Sequence, residues 1–175
     1  MKAMSPELDA FILSVAPPHE ARADAPQSFA ELQNWMSYPS KYFDDGRFLP
    51  KFKGNCFREV GTDLVARIPV WNGASDDSIY GSAEVNYAYR AWHDSTHLRL
   101  GLGFDLDSER QVALQHVRDA WDAGLSVESI ELLWIDSQGQ NEYYRQNSEF
   151  VGNQREFARV ALAAGIHAAC QRVYN

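Results

Sequence analysis

All seven prolines of this 175-residue chain fall within its first 69 positions. Proline lacks a backbone donor and its ring clashes with the preceding turn, so long helices are barred where it recurs and allowed where it is missing. Residues 1–80 therefore read as an irregular region. Pro6, following Ser5, suits the first position of a short helix that ends before Pro17. Ser28 and Glu31 form a capping box for a second short helix reaching about residue 38. Asp44, Asp45 and Gly46 signal a turn. Residues 64–71 are apolar and partly β-branched, which suits a short strand or an extended arm, and Pro69 demotes it to an edge strand or no strand at all.

Residues 82–175 predict three or four helices. The first spans about 82–100 and stops at Gly101. The second starts from a cap at Asp107 or Ser108 and stops at Gly124. The third starts at Ser126, carries Glu128 in its first turn and runs to about residue 146. The fourth covers about 153–173. Short connections make neighbouring helices antiparallel. The expected fold is mainly α: an antiparallel helical bundle of three to four helices over 82–175, preceded by an irregular proline-rich half with room for a short strand or hairpin. The length fits one domain over 1–175.

Composition narrows the function classes. Hydrophobic residues make up 45% of the chain, enough for a packed core. A net charge of −8 weighs against nucleic acid, because that affinity comes from cations neutralising phosphates. The basic stretch over 47–58 is interleaved with Phe48, Phe52 and Phe57 and reads as an arm docked on the core. Cys56 and Cys170 sit in no ligand-spaced motif and fit a reducing compartment, with a single disulfide left open. The first residues lack a signal-peptide pattern, and no apolar run approaches the ~18 residues of a membrane span. The expectation is a soluble, cytoplasmic protein with no membrane partner.

Helical periodicity then points to a site. At ~100° per residue, His93 and His97 share a face with Tyr89 and Leu100. In the second helix Val112, Ala113, Val117 and Ala120 mark the apolar stripe, and Glu109 and His116 fall in its middle. In the third, Ile130, Leu133, Trp134 and Tyr144 mark the core, with Asp136 and Gln140 at its edge. Three consecutive helices thus aim ligand-competent groups inward. A buried carboxylate needs a partner or a metal, and two imidazoles four residues apart on a helix present themselves to one ion. The candidate ligands are His93, His97 and Glu109 for a divalent transition metal: Zn, Mn, Fe or Ni, among which the donor set does not choose. Asp136 is the candidate general base or a fourth ligand, and Gln140 would orient water or a substrate oxygen. Asp94 is expected to support the ligands from behind, and His116 to orient Glu109 or serve as a plain core histidine. A buried polar network without metal is the competing reading of the same faces. Glu84 is expected to face solvent, and His19 and His167 to be structural or exposed. No Glu-x-x-His occurs, which counts against a ferritin-like di-iron site.

One resemblance joins these residues. Tyr89-Arg90-Ala91-Trp92-His93-Asp94 with His97, then Ser108-Glu109, then Asp136 with Gly139-Gln140, then Phe150, Gln154 and Phe157, resembles a group of small helical proteins and domains found largely in bacteriophages and prophages. Their pattern is roughly F/Y-R-x-x-H-D-x-x-x-H, G-E, E-x-x-G-Q and a closing aromatic segment. The likeness covers under half the chain. Here the second histidine is one residue nearer, Ser108 stands where Gly is usual, and Asp136 where Glu is usual. The His93-Asp94 doublet also occurs in HD-type phosphohydrolases, but those carry an earlier helical histidine, and only His19 precedes it here. The resemblance implies a metal centre and a phage setting, hence bacterial host cytoplasm, but no reaction. The expected function is a metal-dependent hydrolase with a small-molecule substrate. The alternative is a non-enzymatic phage protein, a host-factor inhibitor or virion component, whose partner is a host protein and whose metal or polar network is structural.

Overall fold

The computed structural model describes residues 2–23, 25, 57–60, 63–66 and 68–174. The helix expected over 28–38, the turn at 44–46, the basic stretch from residue 47 and Cys56 lie outside the described residues. The described part is mainly helical, with a small two-stranded parallel sheet.

The first helix, α1 (Pro6–Val15), begins as its sequence dictates: the Ser5 side chain accepts from the Leu8 amide at 3.1 Å and proline takes the first position. Strand β1 (His19–Arg22) pairs in parallel with β4 (Ile68–Trp71), in the register His19 with Ile68 and Arg22 with Trp71. Parallel strands need a long connection. It contains the antiparallel hairpin of β2 (Phe57–Val60) and β3 (Asp63–Ala66). Pro69 sits inside β4, opposite Glu20. The Ile68 and Asn72 amides point to Pro18 and Arg22 of the partner strand, so the alternating residue 69 turns its missing donor to the open edge.

Helix α2 (Ala83–Leu100) packs against α1, both strands of the parallel pair and α3 (Leu106–Asp122). The cap of α3 is Asp105, not the expected Asp107 or Ser108: its carboxylate accepts from the amides of both those residues. Helix α4 (Val127–Trp134) starts at the expected Ser126 cap. It then passes through a π-helical turn (Ile135–Gly139) into α5 (Gln140–Asn147). The sequence pattern reads this as one uninterrupted α-helix. The difference has a consequence: Tyr144, expected in the core, is 45% exposed, while Tyr143 is buried against Phe157 and Tyr174. π residues turn less per residue than α residues, so a stripe extrapolated at constant pitch drifts out of register across the turn. The expected last helix is likewise two: α6 (Gln154–Ala164) and α7 (Ile166–Cys170), broken where Gly165 adopts φ +87°.

The main core gathers Leu8 and Ile12 of α1, Tyr80, Trp92, Leu133, Tyr143 and Phe157. Leu100, expected on the inward face of α2, is 39% exposed at the helix end. Glu84 is exposed as expected and lies 3.4 Å from His19, while His167 is exposed. No helix among the described residues is long and apolar enough to cross a membrane.

Gly139 closes the π turn with no room for a side chain: a Cβ there would lie 2.8 Å from Cε1 of Phe157, a fully buried ring. Gly139→Ala is expected to destabilise the fold by about 1–3 kcal/mol through overpacking, read as a lower midpoint in urea with an unchanged slope.

Candidate metal centre

His93 and His97 project from one face of α2, and Glu109 returns on the first turn of α3 after a short connection. Within that connection Phe104 lays its ring on His97, with centroids 4.5 Å apart. The α2 and α3 faces therefore close on each other over three side chains. Nε2 of His93 and Nε2 of His97 are 3.1 Å apart. Glu109 reaches both, with Oε2 3.3 Å from His93 Nε2 and Oε1 3.4 Å from His97 Nε2. Donors around one ion at about 2.1 Å sit about 3.0 Å apart at right angles and about 3.4 Å apart at the tetrahedral angle. The imidazole pair falls at the lower end of that range, one donor atom from each of the three residues lies within 4.8 Å of the others, and these residues could hold a metal ion.

Burial makes the cluster electrostatically demanding. His97 is completely buried and Glu109 is 3% exposed. Burial alone would raise the Glu109 pKa, but hydrogen bonds from His93 and His97, and their charges, hold it well below the usual carboxylate range. Burial opposes charge on His93, yet the hydrogen bond and charge of Glu109 outweigh it and raise its pKa. His97 ends lower than ordinary, because burial and the neighbouring His93 charge prevail over Glu109. The shifts therefore favour His93 over His97 as the imidazole that pairs with the Glu109 charge. The Glu109 Oε1 atom nevertheless has no hydrogen bond of good geometry. It is a donor atom a cation would satisfy.

His116 is fully buried, and its Nε2 lies 3.3 Å from Nδ1 of His93. Its ring rests on Trp92 with centroids 3.8 Å apart. It therefore backs His93 rather than Glu109, the partner expected from the sequence. Burial, then the charges of His93 and His97, push its pKa well below the ordinary value, so it is a neutral acceptor able to fix the His93 tautomer.

One side of the cluster opens into a cleft of about 510 Å³ lined by His93 and Glu109 but not by His97. Asp94, Asp136 and Gln140 also line it. The π turn sets Asp136 and Ser137 on the wall, and Gln138 ties this turn to α3 by donating to the Glu109 carbonyl at 3.3 Å. Asp136 is 8% exposed and its Oδ2 accepts from the Tyr80 hydroxyl at 2.8 Å. Burial lifts its pKa to about 6 against the Tyr80 hydrogen bond and the Arg90 charge. Burial likewise lifts Asp94 to about 7, with the His93 charge opposing. The buried Gln140 Oε1 has no hydrogen-bond partner.

Two contributors have tasks that the sequence pattern does not show. Tyr80 precedes α2 by three residues, belongs to no motif and is fully buried, yet it positions Asp136 from 56 residues away. Arg90 lies inside the α2 motif, but only the fold shows its task. Its guanidinium bonds the carbonyls of Trp71, Gly73 and Ala74, fastening the end of β4 to the cleft. Tyr89 is buried beside the rings of His93 and His116. Comparison with known protein families, curated proteins and solved structures finds no match.

Two pH dependences follow. A metal must displace the proton held by His93, whose pKa is raised. Zinc affinity measured by calorimetry is therefore expected to weaken as pH falls, approaching about tenfold per unit once His93 is mostly protonated. For Asp136 the folded pKa, about 6, exceeds its ordinary 3.8. The native state then holds the extra proton, and this carboxyl erodes stability as pH rises from about 4 to about 6. In metal-free protein, Asp136→Asn is expected to gain on the parent across that window by roughly 3 kcal/mol at most, measured by denaturant titration at each pH.

Proposed function

We propose that this chain is a metal-dependent hydrolase acting on a small molecule. The observation that carries this reading is that two of the three candidate donors, His93 and Glu109, line a cleft whose wall also carries Asp136 and Gln140, while His97 is fully buried beside them. A structural metal site is closed by four protein ligands, whereas a catalytic one keeps positions open to solvent or substrate. Three donors and an accessible side fit the second pattern.

A divalent ion held there would lower the pKa of water and polarise a carbonyl or phosphoryl oxygen. The chain's own residues do the rest. Asp136, tuned to about 6, is suited to accept a proton near neutral pH. Hydrogen bonds from Tyr80, to Oδ2, and from Gln140 hold this carboxyl in place. Gln140 lines the cleft beside Asp136 as a neutral hydrogen-bonding group. Tyr80 and Tyr89 have pKa values raised well above 10 by burial, and next by the Asp136 charge, so both remain O–H donors. His116 keeps His93 oriented. Zn, Mn, Fe and Ni all suit this donor set.

We read α2, α3 and the α4–α5 rod as an antiparallel bundle built around the site, and the phage-type resemblance as a shared metal-binding scaffold. Two of its motif positions, Gly139 and Phe157, pack against each other, which supports treating the signature as one structural unit. The non-enzymatic reading draws its support from the burial of the cluster, since His97 and Glu109 are sealed from solvent.

Elemental analysis of protein purified without chelator, followed by a hydrolase substrate screen, separates the readings. About one equivalent of transition metal, lost in His97→Ala, is expected. Asp136→Asn should retain the metal and lose at least about a hundredfold in turnover. Undiminished turnover in Asp136→Asn would remove that residue as the base. Absence of metal, with melting indifferent to chelator, would leave a structural polar network.

A further inference from the structure

The cleft has a charge balance and a lining that constrain what it accepts. Three carboxyl groups face it: Asp94, Glu109 and Asp136. Among the described lining residues Arg90 is the one fixed cation, and its guanidinium already bonds the carbonyls of Trp71, Gly73 and Ala74. It also lies 5.5 Å above the Trp71 ring. A divalent ion in the His93–His97–Glu109 cluster, together with Arg90, would bring the fully ionised cleft close to neutrality. Phosphoryl chemistry needs more: several cations that clamp the non-bridging oxygens. Here no cation is left over for a phosphate once the three acids are balanced.

The remaining surface is aromatic and amide. Trp71 and Tyr89 line the wall. At the rim Tyr144 and Phe150 stack with centroids 4.7 Å apart, and they are 45% and 52% exposed. A solvent-exposed aromatic pair beside a polar cleft is placed to receive a flat apolar group. Gln140 and Asn141 add neutral hydrogen-bonding groups on the same side.

We infer that the substrate is an uncharged carboxylic amide or ester carrying a planar apolar group, and not a phosphoester. This rests on the hydrolase reading above and narrows it. The planar group lies against the Tyr144–Phe150 pair, and the acyl carbonyl points inward to the metal cluster. The broken bond is the acyl C–N or C–O. Water adds its oxygen to the acyl carbon, Asp136 takes a water proton, and that proton passes to the departing nitrogen or oxygen.

The test uses three probes that share one phenyl ring: benzamide, benzylamine and phenyl phosphate. Each is titrated into zinc-loaded full-length protein, with binding read by chemical-shift changes. Benzamide is expected to bind at least about tenfold more tightly than phenyl phosphate. Tyr144→Ala and Phe150→Ala, both at the exposed rim, should each weaken benzamide several-fold and leave zinc affinity unchanged. Tighter binding of phenyl phosphate or benzylamine than of benzamide overturns the inference, as does benzamide binding that both rim variants leave intact. If calorimetry finds no zinc binding, the hydrolase reading fails by itself. The same titration on metal-free protein then still scores the cleft, where His93 pairs with Glu109 and Asp94 and Asp136 outnumber Arg90, so phenyl phosphate should again bind more weakly than benzamide.

Discussion

The Glu109 carboxylate, sealed between two imidazoles, is the interaction on which the rest of this structure depends. A carboxylate this deeply buried is tolerated only with a compensating charge close at hand. His93 supplies it in the absence of a metal, and that need fixes how α2 and α3 must meet. Neither helix can slide by a turn without leaving the acid or the imidazoles stranded. The surrounding aromatic packing follows from the same demand. Trp92 supports His116, Phe104 covers His97, and Tyr89 borders both His93 and His116.

The open side belongs to the π turn. A regular α-helix through residues 127–147 would carry its stripe past the cleft at constant pitch. The five residues Ile135–Gly139 interrupt that pitch where the wall of the cleft is built. Such turns often sit at functional sites, because they re-aim side chains without ending the helix. Here the turn is held by three attachments: Gly139 against Phe157, Gln138 on the Glu109 carbonyl, and Tyr80 on Asp136. Two of the three reach groups that line the cleft, so the irregular backbone and the polar site support one another.

How much of this was legible beforehand differs by element. Helix starts at Ser5 and Ser126 could be read directly, because a hydroxyl or carboxylate capping an amide is a local event. The inward direction of His93, His97, Glu109 and His116 was legible for a similar reason, since each lies on a long helix of regular pitch. Tyr144 was misread because the reading crossed the π turn. The cap of α3, Asp105, lies two or three residues before the expected Asp107 or Ser108, because all three residues have capping chemistry and only the path of the connecting chain selects among them. The role of Tyr80 was invisible, since a residue outside any periodic segment gives no direction to its side chain.

The division follows the range of the forces involved. Sequence alone determined that the second half of the chain is helical, where several of its helices begin, and which acid and imidazoles turn away from water. These are consequences of proline placement, capping and pitch, all of which act within a few residues. Tertiary structure decided that His93, His97 and Glu109 approach to within hydrogen-bonding range, that His116 backs His93, and that a cleft opens on one side with Tyr80 steering Asp136. Those outcomes depend on the relative placement of separate helices, which is set by the packing of the whole core and written in no short stretch of residues.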